Sequence, residues 1–300
     1  MRARRSLFVS LVTTLVVCTS LVSSLAADAA TRRFRHYVAL GDSYTAGPLI
    51  PLQRLDPLGC FRSTSNYPAQ LAVRLRAGSF TDVSCSGADT TNMTAPQDVL
   101  FGPNPPQLDA LRPDTDLVTL GIGGNDYSVF GSIIGTCPGL RASDPTGNPC
   151  QRHFTVDGVD TLKAAITRTQ GNITRVLALI HRRAPRAKVL AIGYPRIAPP
   201  SGTCPDILPF ADGDYAWLNS VEEALNAAVA SAASTDRRTS YVDTFTPSLG
   251  HDACATGGEA WINGKDMLPW AASYHPLFTG MAGMARIIQA SLTHSRTELS

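Results

Sequence analysis

The sequence predicts an α/β fold: a three-layer sandwich in which a central, mostly parallel sheet carries helices on both faces, as in flavodoxin-like folds. Two observations support this prediction. Short strand-like apolar runs alternate along the chain with longer segments whose apolar residues follow a helical period. Two of the apolar runs also lack polar alternation, which is typical of strands buried on both faces of a parallel sheet.

Five segments have the length and composition of β-strands: 36–40, 81–88, 115–124, 187–195 and 239–245. The third (TDLVTLGIGG) and the fourth (AKVLAIGYP) are almost wholly apolar, so we expect both to be buried on two faces. The first, HYVAL, ends abruptly in Gly41-Asp42-Ser43.

Four segments favour helices: 66–78, 159–182, 214–233 and 275–292. Their apolar residues recur at helical spacing, as Leu71 and Leu75 do in the first of them. Pro185 ends the second helix, since proline removes a backbone donor and clashes with the preceding turn. Pro276 suits the first turn of the last helix, where the missing N–H costs nothing.

Four long stretches rich in Pro, Gly and Cys separate these elements: 48–65, 96–113, 131–158 and 195–213. They are too long to be plain connections. Ligands of an open α/β sheet bind beyond the carboxyl ends of its strands. We therefore expect these loops to line or cover a ligand site at that edge.

Residues 1–30 have the pattern of a secretory signal peptide: a basic start, a mostly apolar run and small residues before a cleavage site between Ala26 and Ala30. The alternative is an uncleaved anchor, but Ser and Thr interrupt the apolar run. We expect export, removal of this segment, and one domain over residues 31–300 that is secreted with no stable membrane anchor.

Residues 1–30 contain three Arg and one Asp, so their removal lowers the formal net charge from +2 to zero. A neutral chain without charge runs gives no electrostatic reason to bind nucleic acid or an anionic membrane. Cys18 leaves with the signal segment, and an even number of cysteines in an exported chain favours disulfides. Sequence leaves the pairing open; sequential pairing closes the shortest loops and is our expectation. No spacing typical of a metal site occurs.

Four junctions of the predicted strands and helices carry groups that acyl transfer needs. A hydroxyl (Ser43), a glycine amide (Gly87) and a carboxamide (Asn125) each follow a strand, and an imidazole (His275) precedes the last helix. In a parallel sheet such junctions lie at one edge. A nucleophile, a base and donors for an oxyanion are the parts of an acyl-transfer site.

These residues stand in four blocks that resemble those of GDSL-type esterases and lipases of the SGNH hydrolase superfamily. The blocks are ALGDSYTAG (39–47), SCSGADT (84–90), LGIGGNDY (120–127) and SYHP (273–276), in family order. Tyr44 stands where the name-giving Leu would be. The blocks span nearly the whole mature chain.

The resemblance implies an SGNH hydrolase-like fold and assigns roles residue by residue. Ser43 would be the nucleophile, and its amide would join the Gly87 amide and the Asn125 side chain in an oxyanion hole. His275 would be the general base and then the acid. Secreted bacterial lipases of this family carry three disulfides in sequence order, which here implies Cys60–Cys85, Cys137–Cys150 and Cys204–Cys254.

One position departs from the family pattern. An Asp commonly lies three residues before the histidine, where this chain has Ala272. Our hypothesis is that Ser43 and His275 form a dyad whose imidazole is oriented by the Ala272 backbone carbonyl. The rival hypothesis is that a distant acid, Asp266 or Asp252, folds back to take that place.

Together these observations predict a secreted, monomeric serine carboxylic-ester hydrolase that acts through an acyl-enzyme on small-molecule or lipid esters with a fatty acyl group and needs no cofactor or metal. Acetylated carbohydrate and phospholipid are alternative substrates, and a secreted binding module on the same fold is the non-enzymatic alternative. No Gly-x-Ser-x-Gly pentad is present, which argues against an α/β-hydrolase, and the glycines of 120–127 do not complete a dinucleotide-binding fingerprint.

Overall fold

A computed structural model describes residues 34–268 and 270–294. The signal segment predicted over residues 1–30 lies outside this range. The strands are β1 (His36–Gly41), β2 (Ser79–Asp82), β3 (Leu117–Gly121), β4 (Thr155–Val156), β5 (Val159–Asp160), β6 (Lys188–Ile192) and β7 (Thr239–Val242). Five of them form a wholly parallel sheet in the order β2-β1-β3-β6-β7, and β4 and β5 form a small antiparallel hairpin.

The helices are α1 (Ser43–Ala46), α2 (Tyr67–Leu75), α3 (Val129–Leu140), α4 (Pro149–Phe154), α5 (Thr161–Arg183), α6 (Asp214–Ala233) and α7 (Phe278–His294). Single turns of 3₁₀-helix occur at Leu58–Cys60, Thr90–Met93, Gln107–Ala110, Asp126–Ser128, Arg141–Ser143 and Thr246–Ser248. No helix in the described ranges has the length and apolar character needed to cross a membrane.

The two faces of the sheet are covered by different helix pairs, because successive strand residues point to opposite sides. Val38 and Leu40 of β1 lie in the core under α5 and α6. Tyr37 and Ala39 lie in the core under α2 and α7. The predicted three-layer α/β sandwich is therefore confirmed.

A third apolar cluster lies outside the two layers and joins α3 to α6. It includes Tyr44 just after β1, Tyr194 just after β6, and Phe210 and Leu218. Because Tyr44 and Tyr194 follow the ends of two strands closely, this cluster lies at the carboxyl edge of the sheet.

Two predicted boundaries are wrong in an informative way. The second strand ends at Asp82 rather than at 88, because the Asp82 carboxylate accepts hydrogen bonds from the backbone and hydroxyl of Ser84 and turns the chain. The last helix begins at Phe278 rather than at 275. Pro276 instead pairs with Ile262 in an isolated antiparallel bridge.

The expectation that 131–158 is a loop is also wrong. Most of this stretch is helical, in α3 and α4. Val129, Ile133 and Cys137 recur at i, i+4 and i+8 and are all buried. This buried face stabilises α3 despite its internal Pro138, since helices in proteins gain most of their stability from tertiary packing.

The structure joins the six cysteines in sequence order, as Cys60–Cys85, Cys137–Cys150 and Cys204–Cys254. The first disulfide connects the segment after α1 to the segment after β2. The second connects α3 to α4. All three therefore tie segments that follow the carboxyl edge of the sheet to one another.

The end of β1 is fixed by a side chain from a distant segment. The Gln107 carboxamide accepts from the Gly41 N–H (2.8 Å) and donates to the Gly41 carbonyl (2.9 Å). Gly41 has φ +154°, and a Cβ there would lie 2.5 Å from the Gly121 carbonyl oxygen. Only glycine therefore fits beside β3 at this point.

Replacement of Gln107 tests this arrangement. Gln107→Leu leaves the buried Gly41 N–H without its acceptor, and an unsatisfied buried group costs about 1–3 kcal/mol. We expect the free energy of unfolding, measured by urea denaturation, to fall by that amount. Gln70→Leu is the control, because the Gln70 carboxamide makes one hydrogen bond, to Ser65, at a half-exposed site. Equal stability of the two variants would contradict the role of Gln107.

Candidate active site

Ser43 is the first residue of α1 and directly follows β1 across one residue, Asp42. The Asp42 carboxylate caps this short helix by accepting from the Tyr44 N–H at 2.9 Å. Gly47 ends the helix in the left-handed conformation, φ 76°. The Ser43 hydroxyl is thus presented at the carboxyl edge of the sheet by a strand, a capping residue and a single helical turn. Ser43 is 8% exposed there.

The Ser43 hydroxyl and the His275 imidazole are brought together from opposite ends of the chain. Oγ and Nε2 lie 2.8 Å apart. The other ring nitrogen, Nδ1, lies 2.7 Å from the Ser273 carbonyl oxygen. A carbonyl can only accept, so Nδ1 carries the proton and Nε2 is left to accept from the Ser43 hydroxyl. This is the tautomer that a general base needs.

The carbonyl that orients His275 is not the predicted one. The Ala272 carbonyl accepts from the backbone N–H of His275 (3.3 Å) and from the Asn263 carboxamide (3.1 Å), while Ser273 faces Nδ1. The reason is the backbone at Tyr274, whose left-handed conformation (φ 59°) reverses the chain between Ser273 and His275.

Neither proposed distant carboxylate bonds to the imidazole. Asp252 is buried, and its Oδ1 accepts from the Cys254 N–H at 3.0 Å. The Asp266 side chain is 76% exposed and lies 3.5 Å from Lys265 Nζ. The acceptor within hydrogen-bonding distance of His275 Nδ1 is thus the neutral peptide oxygen of Ser273.

The segment that carries His275 is held by two residues that the sequence did not single out as partners. The backbone N–H of Asn263 donates to the His275 carbonyl at 2.9 Å, and its buried carboxamide spans the turn to the Ala271 and Ala272 carbonyls. The Tyr44 hydroxyl donates to the Tyr274 carbonyl at 2.6 Å, and its ring centre lies 5.4 Å from that of His275.

The segments that carry the candidate oxyanion donors are tied to the end of β1 and to each other. The Cys85 N–H donates to the Gly41 carbonyl at 3.0 Å, which brings the glycine block to the end of β1. The Asn125 carboxamide donates one hydrogen to the Ala88 carbonyl at 2.9 Å, next to Gly87. Within the described ranges, no acceptor bonds to the backbone N–H groups of Ser43 and Gly87. These amides and the second Asn125 N–H are therefore available to a ligand oxygen.

Tyr194 links the serine block to the asparagine block. Its hydroxyl donates to Asp42 Oδ2 at 2.5 Å and accepts from the Gly124 N–H at 2.9 Å. Burial raises the pKa of Asp42 to about 7, and the Tyr194 hydrogen bond opposes that rise. Tyr194 was not among the predicted site residues, because it lies inside the segment predicted as the fourth strand and its contact with Asp42 depends on tertiary packing.

Asp126 fixes the glycine block against the asparagine block in the same way. Its carboxylate accepts from the Thr90 N–H (3.0 Å), from the Thr90 hydroxyl (2.5 Å) and from the Asn172 carboxamide (2.9 Å). Burial raises the pKa of Asp126, and these donors oppose the rise. These hydrogen bonds tie the segment after Gly87, through Thr90, to Asp126 and to Asn172 of α5.

The electrostatics of the site keep His275 neutral. Burial lowers the pKa of His275 below its ordinary value, and the hydrogen bond to the Ser273 carbonyl opposes this. A neutral imidazole is the form that can take a proton from Ser43, so the site is ready to act as a base at neutral pH.

An apolar pocket opens next to the segment that carries His275. Its lining includes Tyr274, adjacent to His275, and Phe130, whose ring stacks on Tyr44. One lining residue carries a carboxyl group, Glu222. In residues 34–268 and 270–294, no group of three or more His, Cys, Asp or Glu residues is arranged to hold a metal ion.

Comparison with known proteins gives matches over most of the chain. A model of the GDSL-like Lipase/Acylhydrolase family matches residues 39–282. Lipase 2 from Streptomyces coelicolor is 40% identical over 257 residues, which cover 83% of each protein. A lipase from Streptomyces rimosus is 31% identical over 247 residues, 82% of each.

Solved structures are similar in fold. The crystal structure of phospholipase A1 from Streptomyces albidoflavus NA297 superposes with a TM-score of 0.71 at 28% identity and covers 86% of this chain and 99% of that one. The extracellular lipase from Streptomyces rimosus superposes with a TM-score of 0.64, also at 28% identity, over 85% of this chain and 99% of that one.

Removal of the two distant carboxyl groups tests how His275 is oriented. Because Ser273 already accepts from Nδ1, we expect Asp266→Ala to keep kcat for p-nitrophenyl butyrate within about threefold of the wild type. Asp252→Asn retains an acceptor for the Cys254 N–H and should do the same. Loss of an orienting aspartate costs on the order of 10⁴ in kcat in enzymes that depend on one. A thousandfold loss in either variant would reject a carbonyl as the orienting group.

Proposed function

The chain belongs to the GDSL-like lipase/acylhydrolase family and is a carboxylic-ester hydrolase, and from this premise we propose that Ser43 and His275 perform its reaction through an acyl-enzyme. The observation that carries the proposal is the 2.8 Å contact between Ser43 Oγ and the unprotonated Nε2 of His275. This contact pairs a nucleophile with a base in the tautomer that can activate it.

In the first step Ser43 Oγ attacks the ester carbonyl carbon while its proton moves to His275 Nε2. The tetrahedral intermediate then collapses. Its C–O bond to the alcohol breaks, and the imidazolium gives the proton to the leaving oxygen. In the second half, His275 takes a proton from water while the water oxygen attacks the acyl carbonyl. The second tetrahedral intermediate collapses, the acid is released, and the imidazolium returns the proton to Ser43 Oγ.

The negative oxygen of each tetrahedral intermediate is stabilised by three donors: the amides of Ser43 and Gly87 and the carboxamide of Asn125. The two amides have no other acceptor in the described ranges, and Asn125 keeps one N–H beyond the one it donates to Ala88, which supports this role. Removal of one such donor typically costs about 10²–10³ in rate. The Ser273 carbonyl holds the imidazole in orientation, but a neutral acceptor stabilises the imidazolium less than a carboxylate would.

The substrate class we propose is a fatty-acyl ester. An apolar pocket with walls such as Phe130, Ile133 and Phe210 also includes Tyr274, the neighbour of His275, and burial of an alkyl chain there is favourable at about 25 cal/mol per Å² of apolar area. Phospholipid is a second candidate, favoured by the similarity to a phospholipase A1. We further propose that the protein acts outside the cell, which the pattern of residues 1–30 and the similarity to an extracellular lipase support. A monomer is the oligomeric state that we propose.

Covalent labelling tests the nucleophile. A fluorescent alkyl fluorophosphonate should label the wild-type protein in a one-to-one ratio, and tryptic mass spectrometry should place the adduct on Ser43. Ser43→Ala should remove both the label and the hydrolysis of p-nitrophenyl butyrate while the unfolding midpoint stays unchanged. Ser240→Ala, at an exposed position of β7, is the control and should label normally. A folded wild type that takes no label would reject the serine mechanism.

A substrate series tests the acyl preference. We expect kcat/KM for p-nitrophenyl esters to rise from acetate to medium-length chains as more apolar area enters the pocket, by roughly fourfold for each added methylene, since each is worth about 0.8 kcal/mol when buried. Triolein and phosphatidylcholine in mixed micelles distinguish lipase from phospholipase activity. A maximum at acetate, with turnover of acetylated xylan, would contradict the fatty-acyl proposal.

A further inference from the structure

Glu222 is a buried carboxyl group in the wall of the apolar pocket, and the proposed reaction does not use it. It lies on α6 and is 4% exposed. Its Oε2 accepts from the backbone N–H of Ile197 at 3.1 Å. Its Oε1 is buried and has no hydrogen-bond partner in the described part of the chain.

A structural role accounts for only one of the two carboxyl oxygens of Glu222. One oxygen is enough to satisfy the Ile197 N–H, and the second leaves a polar atom unpaired, which is unfavourable in a protein interior. The neighbouring Arg196 does not pair with it. The Arg196 guanidinium donates to Asn219 at 2.7 Å and lies 3.7 Å from the centre of the Phe245 ring. The Arg196 Nε is likewise buried without a hydrogen-bond partner in the described ranges, so Oε1 is left unpaired in a residue that lines the pocket.

The carboxyl group is neutral at pH 7. Burial raises the pKa of Glu222 to about 8; the Ile197 N–H and Arg196 lower it, and Glu223 and Asp252 add to the rise. A protonated carboxyl both donates and accepts hydrogen bonds. Its partner in the pocket is therefore a group that can do either, and a hydroxyl fits.

The pocket that Glu222 lines also reaches the segments that hold the reacting pair. Tyr274, the neighbour of His275, lines the same pocket, as does Phe130, whose ring stacks on Tyr44. The Tyr44 ring in turn contacts His275. An acyl chain held in this pocket would lie against a wall that includes Glu222, and the Phe130 and Leu218 side chains of the same pocket offer no hydrogen bond.

We propose that Glu222 forms a polar subsite within the acyl pocket and selects esters whose acyl chain carries a hydroxyl group. This rests on the proposed function, in which the pocket holds the acyl chain. A plain alkyl chain leaves Oε1 unpaired, whereas a hydroxyl at the matching carbon pairs with it. A site with an unpaired buried polar group discriminates against a substrate that lacks the partner.

The test compares methyl octanoate with its monohydroxylated isomers, one for each chain position, in a pH-stat at pH 7. We expect one isomer to exceed octanoate in kcat/KM by about tenfold, near the upper end for a net hydrogen bond between neutral groups. Glu222→Met should bring that ratio to about one or below. Glu223→Gln, an exposed neighbour on the same helix, is the matched control and should keep the wild-type ratio.

Glu222→Gln keeps the test decisive if the methionine variant does not fold, because its oxygen can still accept from Ile197. Both substrates use the same Ser43 and His275, so changes in those groups cancel in the ratio of the two kcat/KM values. In the wild type the ratio should rise by about threefold or more above pH 8. A plain chain then leaves a buried carboxylate without a hydrogen-bond partner, which is costly. A hydroxyl binds that carboxylate more strongly, as hydrogen bonds to charged groups are the stronger kind. In Glu222→Gln the ratio should not change with pH.

Two results overturn the proposal and are distinguishable. The subsite is rejected and the proposed function stands if the wild type cleaves methyl octanoate well but cleaves no hydroxylated ester better. The same conclusion follows if the preference persists unchanged in Glu222→Met and does not depend on pH. If the wild type cleaves methyl octanoate no faster than methyl acetate, the fatty-acyl function fails and the subsite fails with it.

Discussion

The geometry of the site depends on the point at which β1 and β3 end side by side. Gly41 pairs with Gly121 in parallel register, and the Asp42 N–H donates to the Gly121 carbonyl at 2.9 Å. A side chain at Gly41 would displace β3, so a close backbone approach is possible only with glycine there. Because both strands stop at this level, Ser43 and Asn125 emerge on the same edge. The other two blocks are then attached to it, the glycine block through Cys85 and the histidine segment through Tyr44.

Much of this could be predicted from sequence, because parallel strands carry their carboxyl ends to one edge whatever the loops do. The order of strands and helices, and the meeting of Ser43 with His275, follow from that rule. The partners that hold the site could not be predicted. Tyr194 reaches Asp42 across 152 residues, and Gln107 reaches Gly41 across 66. Such contacts depend on tertiary packing, and no local pattern marks them.

The choice between two adjacent carbonyls illustrates the same limit at a finer scale. The sequence indicated that a peptide oxygen replaces the missing aspartate, but it placed that oxygen at Ala272. The acceptor is Ser273, since Tyr274 adopts a left-handed backbone that few residues other than glycine favour. Asn263 bonds to the Ala271 and Ala272 carbonyls at this turn and stabilises it. A neutral acceptor fixes the tautomer of His275, and stabilisation of charge in the transition state then depends more on the oxyanion donors than it would in a triad.

Two buried carboxyl groups near the site show how hydrogen-bond saturation separates a structural group from one that faces a ligand. Burial raises the pKa values of both Asp42 and Glu222, to about 7 and about 8. Asp42 uses both oxygens, one for the Tyr44 N–H and one for the Tyr194 hydroxyl, so it has nothing left to offer a substrate. Glu222 uses one oxygen and keeps the other in a pocket wall that is otherwise mostly apolar. An unpaired group of this kind is costly to the folded protein when empty, and a substrate hydroxyl that pairs with it recovers that cost at the moment of binding.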